Sequence, residues 1–260
     1  MRITVLCEDT CVRGGLCAEH GLSLYIETAT HKILFDMGQS DLFARNARLL
    51  GIDLSEVDVA VLSHGHYDHG GGLAAFLQLN KKANVYVNEH AFGDYYSSPE
   101  KYIGLDKFLQ QDPRVKLTGE YLKIADGVEL FACNAREKHV PVCAFGLTEC
   151  QNGLHGADRF LHEQYLLLEG KTLVSGCSHK GILNIVEWLP ASRVIGGFHF
   201  VKLDPATAEG RTALDAAARR LRETQADFYT CHCTGVPQYE YLKGKMPRLS
   251  YLSVGDVLEF

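Results

Sequence analysis

Three imidazoles and a carboxylate crowd into the six positions His64-Gly65-His66-Tyr67-Asp68-His69. Buried and unpartnered, such groups cost kilocalories each, so they do not pack as ordinary core residues. A metal ion resolves the conflict. His and Asp are nitrogen and oxygen donors of the kind zinc takes, and the same set admits manganese or iron. The turn is able to aim His64 and His66 at one ion while Asp68 and His69 face a second. One or two such ions, each with a position left for water or substrate, imply Lewis-acid chemistry.

The elements on either side must hold that turn still. Residues 57–62 are an apolar, β-branched run that reads as a buried strand, and Leu73, Phe76 and Leu77 follow at helical spacing. The donors therefore sit on a strand-to-helix turn. The plan recurs where residues 172–175 lead into Gly176-Cys177-Ser178-His179, with Ile182, Ile185 and Val186 behind at helical spacing. It recurs again where residues 228–230 lead into Cys231-His232-Cys233.

With its Ser63-to-Gly72 stretch, the chain resembles the metallo-β-lactamase superfamily, whose signature is His-x-His-x-Asp-His after a strand. Glu19-His20-Gly21-Leu22-Ser23, Phe35-Asp36-Met37-Gly38, Gly176-Cys177-Ser178-His179-Lys180-Gly181, Gly196-Gly197-Phe198-His199 and Cys231-His232-Cys233-Thr234-Gly235 narrow it. Together they resemble the subgroup named for 7,8-dihydropterin-6-methyl-4-(β-D-ribofuranosyl)aminobenzene 5′-phosphate synthase. The resemblance implies an α/β fold: a four-layer αββα sandwich of two mixed β-sheets flanked by helices, one domain over residues 1–260.

It also implies a site. His64, His66 and His179 are expected on a first metal, and Asp68, His69 and His232 on a second, with zinc the first choice of ion. Hydrolytic members usually place a bridging Asp where this chain has Cys177, and a separate His before it, for which His155 and His162 both stand. Cys177 is thus either a thiolate ligand or a small core residue. Diiron redox chemistry is disfavoured because His66 stands where oxygen-reducing members have Glu. Asp68, Cys177 and His199 are the candidate catalytic side chains; a neutral imidazole such as His199 moves protons near neutral pH.

Asp36 ends a strand before Gly38, where a carboxylate is able to fix the tautomer of a ligating imidazole. His20, Lys180, His162 and Arg159 are the candidate substrate contacts. The glycines Gly70-Gly71-Gly72 at a helix start, together with Lys180, suggest an anion site. Two chemistries are expected on a small anionic, phosphate-bearing or pterin-like substrate: hydrolysis of an ester, lactone or phosphoester, or the transfer for which the subgroup is named. The rival class is a non-catalytic metal-binding module or a cysteine-based electron carrier, though Cys7, Cys11 and Cys17 match no common cluster spacing.

The 260 residues are 46% hydrophobic and 22% charged, with net charge −6, ordinary values for a globular protein. That charge offers nucleic acid or an anionic membrane no attractive field, so neither is expected as a partner. A homo-oligomer is compatible with the composition. Nine scattered cysteines and a start without a basic, apolar leader suit the cytoplasm.

Residues 84–88 and 115–131 read as strands, residues 95–111 as loop then helix, and residues 133–160 as an irregular lid. Asp204-Pro205 is expected to open a helix with Leu214, Ala217, Ala218 and Leu221 on its apolar face.

Overall fold

The computed structural model describes residues 1–98 and 101–260. The chain divides into two compact units: one of Met1–Gly119, Gly146–Gln164 and Ser253–Phe260, the other of Glu120–Phe145 and Tyr165–Leu252.

The first unit holds a seven-stranded mixed sheet in the order Val257–Glu259, Arg2–Cys7, Ser23–Glu27, Lys32–Phe35, Val59–Val61, Asn84–Asn88, Val115–Thr118. Its first four strands pair antiparallel and the rest parallel. The parallel strands need crossovers, and the helices Leu42–Leu49 and Leu73–Leu79 supply two of them. Phe43, Ala47, Leu73, Phe76 and Leu77 bury the apolar stripes of these helices against Leu34, Ala60, Leu62 and Val85. The strand Val59–Val61 is buried at every position, as its unbroken apolar run requires.

A second, four-stranded antiparallel sheet belongs to the same unit and joins Leu154–Ala157, Thr148–Gln151, Asp94–Ser98 and Lys101–Tyr102. It corrects two expectations. Residues 95–98 are strand, and the segment 133–160 is irregular only until residue 147, beyond which it forms a hairpin about the turn at Asn152-Gly153. Its strands are largely exposed and lack the apolar alternation by which strands are recognised.

The other unit is built on a seven-stranded mixed sheet in the order Leu249–Tyr251, Asp227–Thr230, Arg193–Ile195, Thr172–Val174, Tyr165–Leu168, Val128–Phe131, Tyr121–Ala125. Ile182, Ile185 and Val186 of the helix Ile182–Trp188 and Leu214, Ala218 and Leu221 of the helix Ala208–Glu223 share its core with Leu173, Val194 and Phe228. This second helix begins later than Asp204-Pro205 suggests. Thr207 caps it, its Oγ1 accepting from Gly210 N–H at 3.0 Å, while Asp204 closes the preceding turn through Ala206 N–H. Both sheets are mixed and carry helices, the α/β class expected from the sequence. No helix among the described residues is long and apolar enough to cross a membrane.

Candidate metal centre

In the first unit the signature turn leaves the strand Val59–Val61 and is fixed by one carboxylate. Asp36, fully buried with φ 58°, accepts from Ser63 N–H at 2.7 Å, from Ser63 Oγ at 2.6 Å and from His69 Nδ1 at 2.7 Å. Ser63 Oγ also lies 2.8 Å from His64 Nδ1. Donor counting then settles both rings. A carboxylate only accepts, so the hydroxyl proton of Ser63 and the Nδ1 proton of His69 both point at Asp36. With that proton committed, Ser63 Oγ is the acceptor toward His64, whose proton is therefore also on Nδ1. In the neutral form in which histidine ligates a metal, both imidazoles therefore present Nε2 as the lone-pair atom.

The other donors lie close by. The ring of His64 is 4.6 Å from that of His66 and 4.1 Å from that of His69, and His64, His66 and His69 are all buried. Asp68 Oδ2 is 3.7 Å from His69 Nε2 and 3.4 Å from His20 Nε2, and His20 Nδ1 meets Asp9 at 2.9 Å. Half-exposed, His20 thus bridges two carboxylates. The cluster of buried imidazoles beside a carboxylate fits a divalent metal ion.

His162, the fourth buried imidazole, accepts from Gly65 N–H through Nδ1 at 3.0 Å and faces Asp158 Oδ2 through Nε2 at 3.2 Å. Its proton is therefore on Nε2, which marks it as a hydrogen-bond donor in place of a ligand. His155 lies on the exposed strand Leu154–Ala157, its ring 4.8 Å from that of Tyr96. Arg159 lines a cleft of about 270 Å³ with Tyr95, Gln110 and Glu149, and its guanidinium is paired with the Glu149 carboxylate.

Two expectations about an anion site are corrected. Gly70 N–H donates to His66 O, Gly71 N–H to Tyr67 O and Gly72 N–H to Gly38 O, so all three amides are consumed by carbonyls. These glycines serve close packing. A Cβ would meet Leu105 Cδ2 at 2.6 Å from Gly70, Gln39 O at 2.4 Å from Gly71 and Met37 O at 2.2 Å from Gly72. Lys180 is fully buried, donates to Ala132 O at 2.7 Å and lies 5.7 Å from the centre of the Tyr165 ring. It is a structural cation and not a mobile charge offered to substrate.

In the second unit the strand Thr172–Val174 opens into a turn with Ser178 at φ 59°, closed by a Ser175–Ser178 hydroxyl contact of 2.8 Å. The turn after Arg193–Ile195 sets His199 at φ 55°, with Phe198 N–H donating to Thr234 Oγ1 at 2.8 Å. His232, buried and at φ 47°, begins the short helical turn His232–Thr234. Non-glycine residues in this backbone region are uncommon, and each of these three turns holds one.

The ligand atoms of Cys177, His199 and Cys233 lie within 4.8 Å of one another, and the rings of His179 and His199 are 4.3 Å apart. Cys233 Sγ also lies 3.4 Å from Cys177 O. Burial opposes ionisation of the Cys233 thiol, but hydrogen bonds with Cys177 and His199 and the nearby imidazole of His232 outweigh it and hold the thiol well below its ordinary value. Sequence reasoning assigned Cys233 no role and missed Asp158 and Asp9. The Asp158-x-x-x-His162 spacing was the available signal for Asp158.

Residues 18–195 match the metallo-beta-lactamase superfamily, and the chain belongs to it. An uncharacterized protein of Methanocaldococcus jannaschii is 32% identical over 268 residues, covering 98% of this chain and 99% of its own. The 7,8-dihydropterin-6-methyl-4-(β-D-ribofuranosyl)-aminobenzene-5′-phosphate synthase of the same organism is 29% identical, over 84% of this chain and 82% of its own. The crystal structure of Tm1679, a metal-dependent hydrolase of the beta-lactamase superfamily, matches with TM-score 0.83 and 30% identity over 100% of this chain and 99% of that one. The chain has the metallo-β-lactamase fold.

Proposed function

We propose that this protein is a metal-dependent enzyme, with zinc the preferred ion, acting on a small anionic substrate that carries a phosphate group. The observation that carries the reading is the Asp36 network, which spends a buried carboxylate on turning two imidazoles into Nε2 donors. The proposed ligands are His64, His66, Asp68 and His69 on the signature turn of the first unit; in the second unit His179 and His232, each on a turn that follows a strand, are proposed as metal ligands as well. A divalent ion there supplies Lewis-acid polarisation of a carbonyl or phosphoryl oxygen and acidifies water. Asp36 and Ser63 hold the rings, and His162 donates from Nε2 within the same cluster.

Hydrolysis is the first reading, supported by the full-length likeness to a metal-dependent hydrolase. Group transfer to a pterin is the second, supported by the synthase relative, which also supports the phosphate-bearing substrate class. Protein purified without chelator is expected to carry about one to two equivalents of metal and to turn over phosphoesters or pterin phosphates in preference to neutral lactones. Less than about 0.2 equivalents after reconstitution removes the metal reading, since ligand sets of this kind retain zinc through purification. Turnover of neutral lactones alone, with phosphate compounds inert at millimolar levels, removes the substrate class.

His199 tests the proton-transfer role. Its Nδ1 is buried and without a hydrogen-bond partner among the described residues, while the ring contacts Phe145 at 5.6 Å. His199→Ala is expected to retain metal and lose about 100-fold in turnover, the lower end of the range for a positioned acid or base. Loss of the metal with the side chain would instead make His199 a ligand.

A further inference from the structure

The segment carrying Asp158 and His162 is pinned to the signature turn within the first unit. Gln164 N–H donates to Ser63 O at 2.7 Å, Gln164 Nε2 to Leu62 O at 2.8 Å, and Gln164 Oε1 accepts from Thr118 Oγ1 at 2.6 Å. Gly65 N–H donates to His162, so the backbone of the signature itself sets that ring. The Asp158 side chain is completely buried. Its Oδ1 accepts from Phe160 N–H at 2.7 Å and its Oδ2 from His162 Nε2 at 3.2 Å.

One distance remains. Asp158 Oδ2 lies 3.6 Å from His66 Nε2, beyond hydrogen-bond range. Two donor atoms each about 2.05 Å from one tetrahedral zinc stand about 3.4 Å apart. The separation is close to that of two ligands of one ion.

We propose that Asp158 is a carboxylate ligand of the metal ion held by His66, with His162 as the hydrogen-bond donor that orients it. The arrangement uses every part of the cluster. One lone pair of Oδ2 takes the His162 proton and the other is left for the ion, Oδ1 is anchored by backbone, and His162 is excluded from ligation by its own tautomer. The proposal rests on the reading that the signature turn binds metal.

The test is a titration of the metal-free full-length protein with cobalt(II), followed by its visible spectrum, and with zinc in competition with a chelator. Asp158→Asn keeps the size and the acceptor oxygen, and burial disfavours the charge it removes. It is expected to weaken one metal equivalent by about 100-fold or more and change the cobalt spectrum, while His162→Gln weakens it by about 10-fold, the lower bound for an outer-shell partner. Asp158→Cys is expected to add thiolate-to-cobalt charge-transfer intensity beyond that of the wild-type cobalt protein, a readout separate from a change in stability. Wild-type affinity and spectrum in Asp158→Asn, or no added charge-transfer intensity in a cobalt-loaded Asp158→Cys, overturns the assignment alone. A wild-type protein that binds neither metal overturns it together with the metal reading.

Discussion

Asp36→Ala is expected to lose about 3–5 kcal/mol of stability, because it strands three buried donors at about 1–3 kcal/mol each, and 10- to 100-fold in metal affinity, the range for removing an outer-shell partner. The carboxylate has no exposed surface and accepts three hydrogen bonds from Ser63 and His69. Alanine strands those buried donors at once, and an unsatisfied buried group carries its full desolvation penalty. The loss also propagates: the proton of Ser63 Oγ is freed to turn toward His64, and the tautomers of both rings are released. Because Asp36 sits at φ 58°, where alanine is strained and asparagine tolerated, Asp36→Asn is the partner experiment. It keeps the backbone and should recover part of the stability while still weakening metal. Thermal unfolding of the metal-free protein and a chelator titration read the two effects separately. An Asp36→Ala protein with wild-type midpoint and affinity removes the network from the account.

Gly72→Ala is expected to destabilise the fold by about 3 kcal/mol or more, at the upper end of the range for overpacking, and so to lower the unfolding midpoint by roughly 6–12 °C. Gly72 has ordinary φ −76°, so backbone strain is not the cause. The added methyl would stand 2.2 Å from Met37 O, 2.7 Å from Ser40 O and 2.7 Å from Phe43 Cε1, and the two carbonyls belong to backbone that is unable to swing aside. Gly72 N–H already holds that crossing segment through Gly38 O at 3.2 Å. The segment includes the loop that follows Asp36, so the same substitution is expected to disturb the metal donors. Gly156→Ala, at an exposed position with nothing within 4 Å of the new atom, serves as the control and should change stability by about 0.5 kcal/mol or less. Equal midpoints for the two variants would show that the crossing segment yields and would remove close packing as the reason for Gly72.

Much of the site was legible in the chain because its chemistry is local. His64, His66, Asp68 and His69 share one turn, so their types and spacing alone define a donor set, and the strand before and helix behind follow from the period of the apolar residues. The role of Asp36 was legible too, since a carboxylate at a strand end has few uses there other than to accept. The repeated strand, turn and helix around Cys177-Ser178-His179 and His232 pointed to the same fold.

What the tertiary structure decided was which polar groups meet, and whether anything is left over to bind with. Gly70, Gly71 and Gly72 look like an anion cradle until the carbonyls of the neighbouring turns are seen to take every amide. Lys180 looks like a mobile charge until its burial against Ala132 O and the Tyr165 ring is seen. The contact between Gly65 and His162 joins residues 97 apart in the chain, and through it Asp158 reaches His66. Spacing along the chain specifies the donors that one turn carries, because bond geometry ties neighbours together. The partners of a buried charge are chosen by the packing of distant segments, and no periodicity within either segment records that choice.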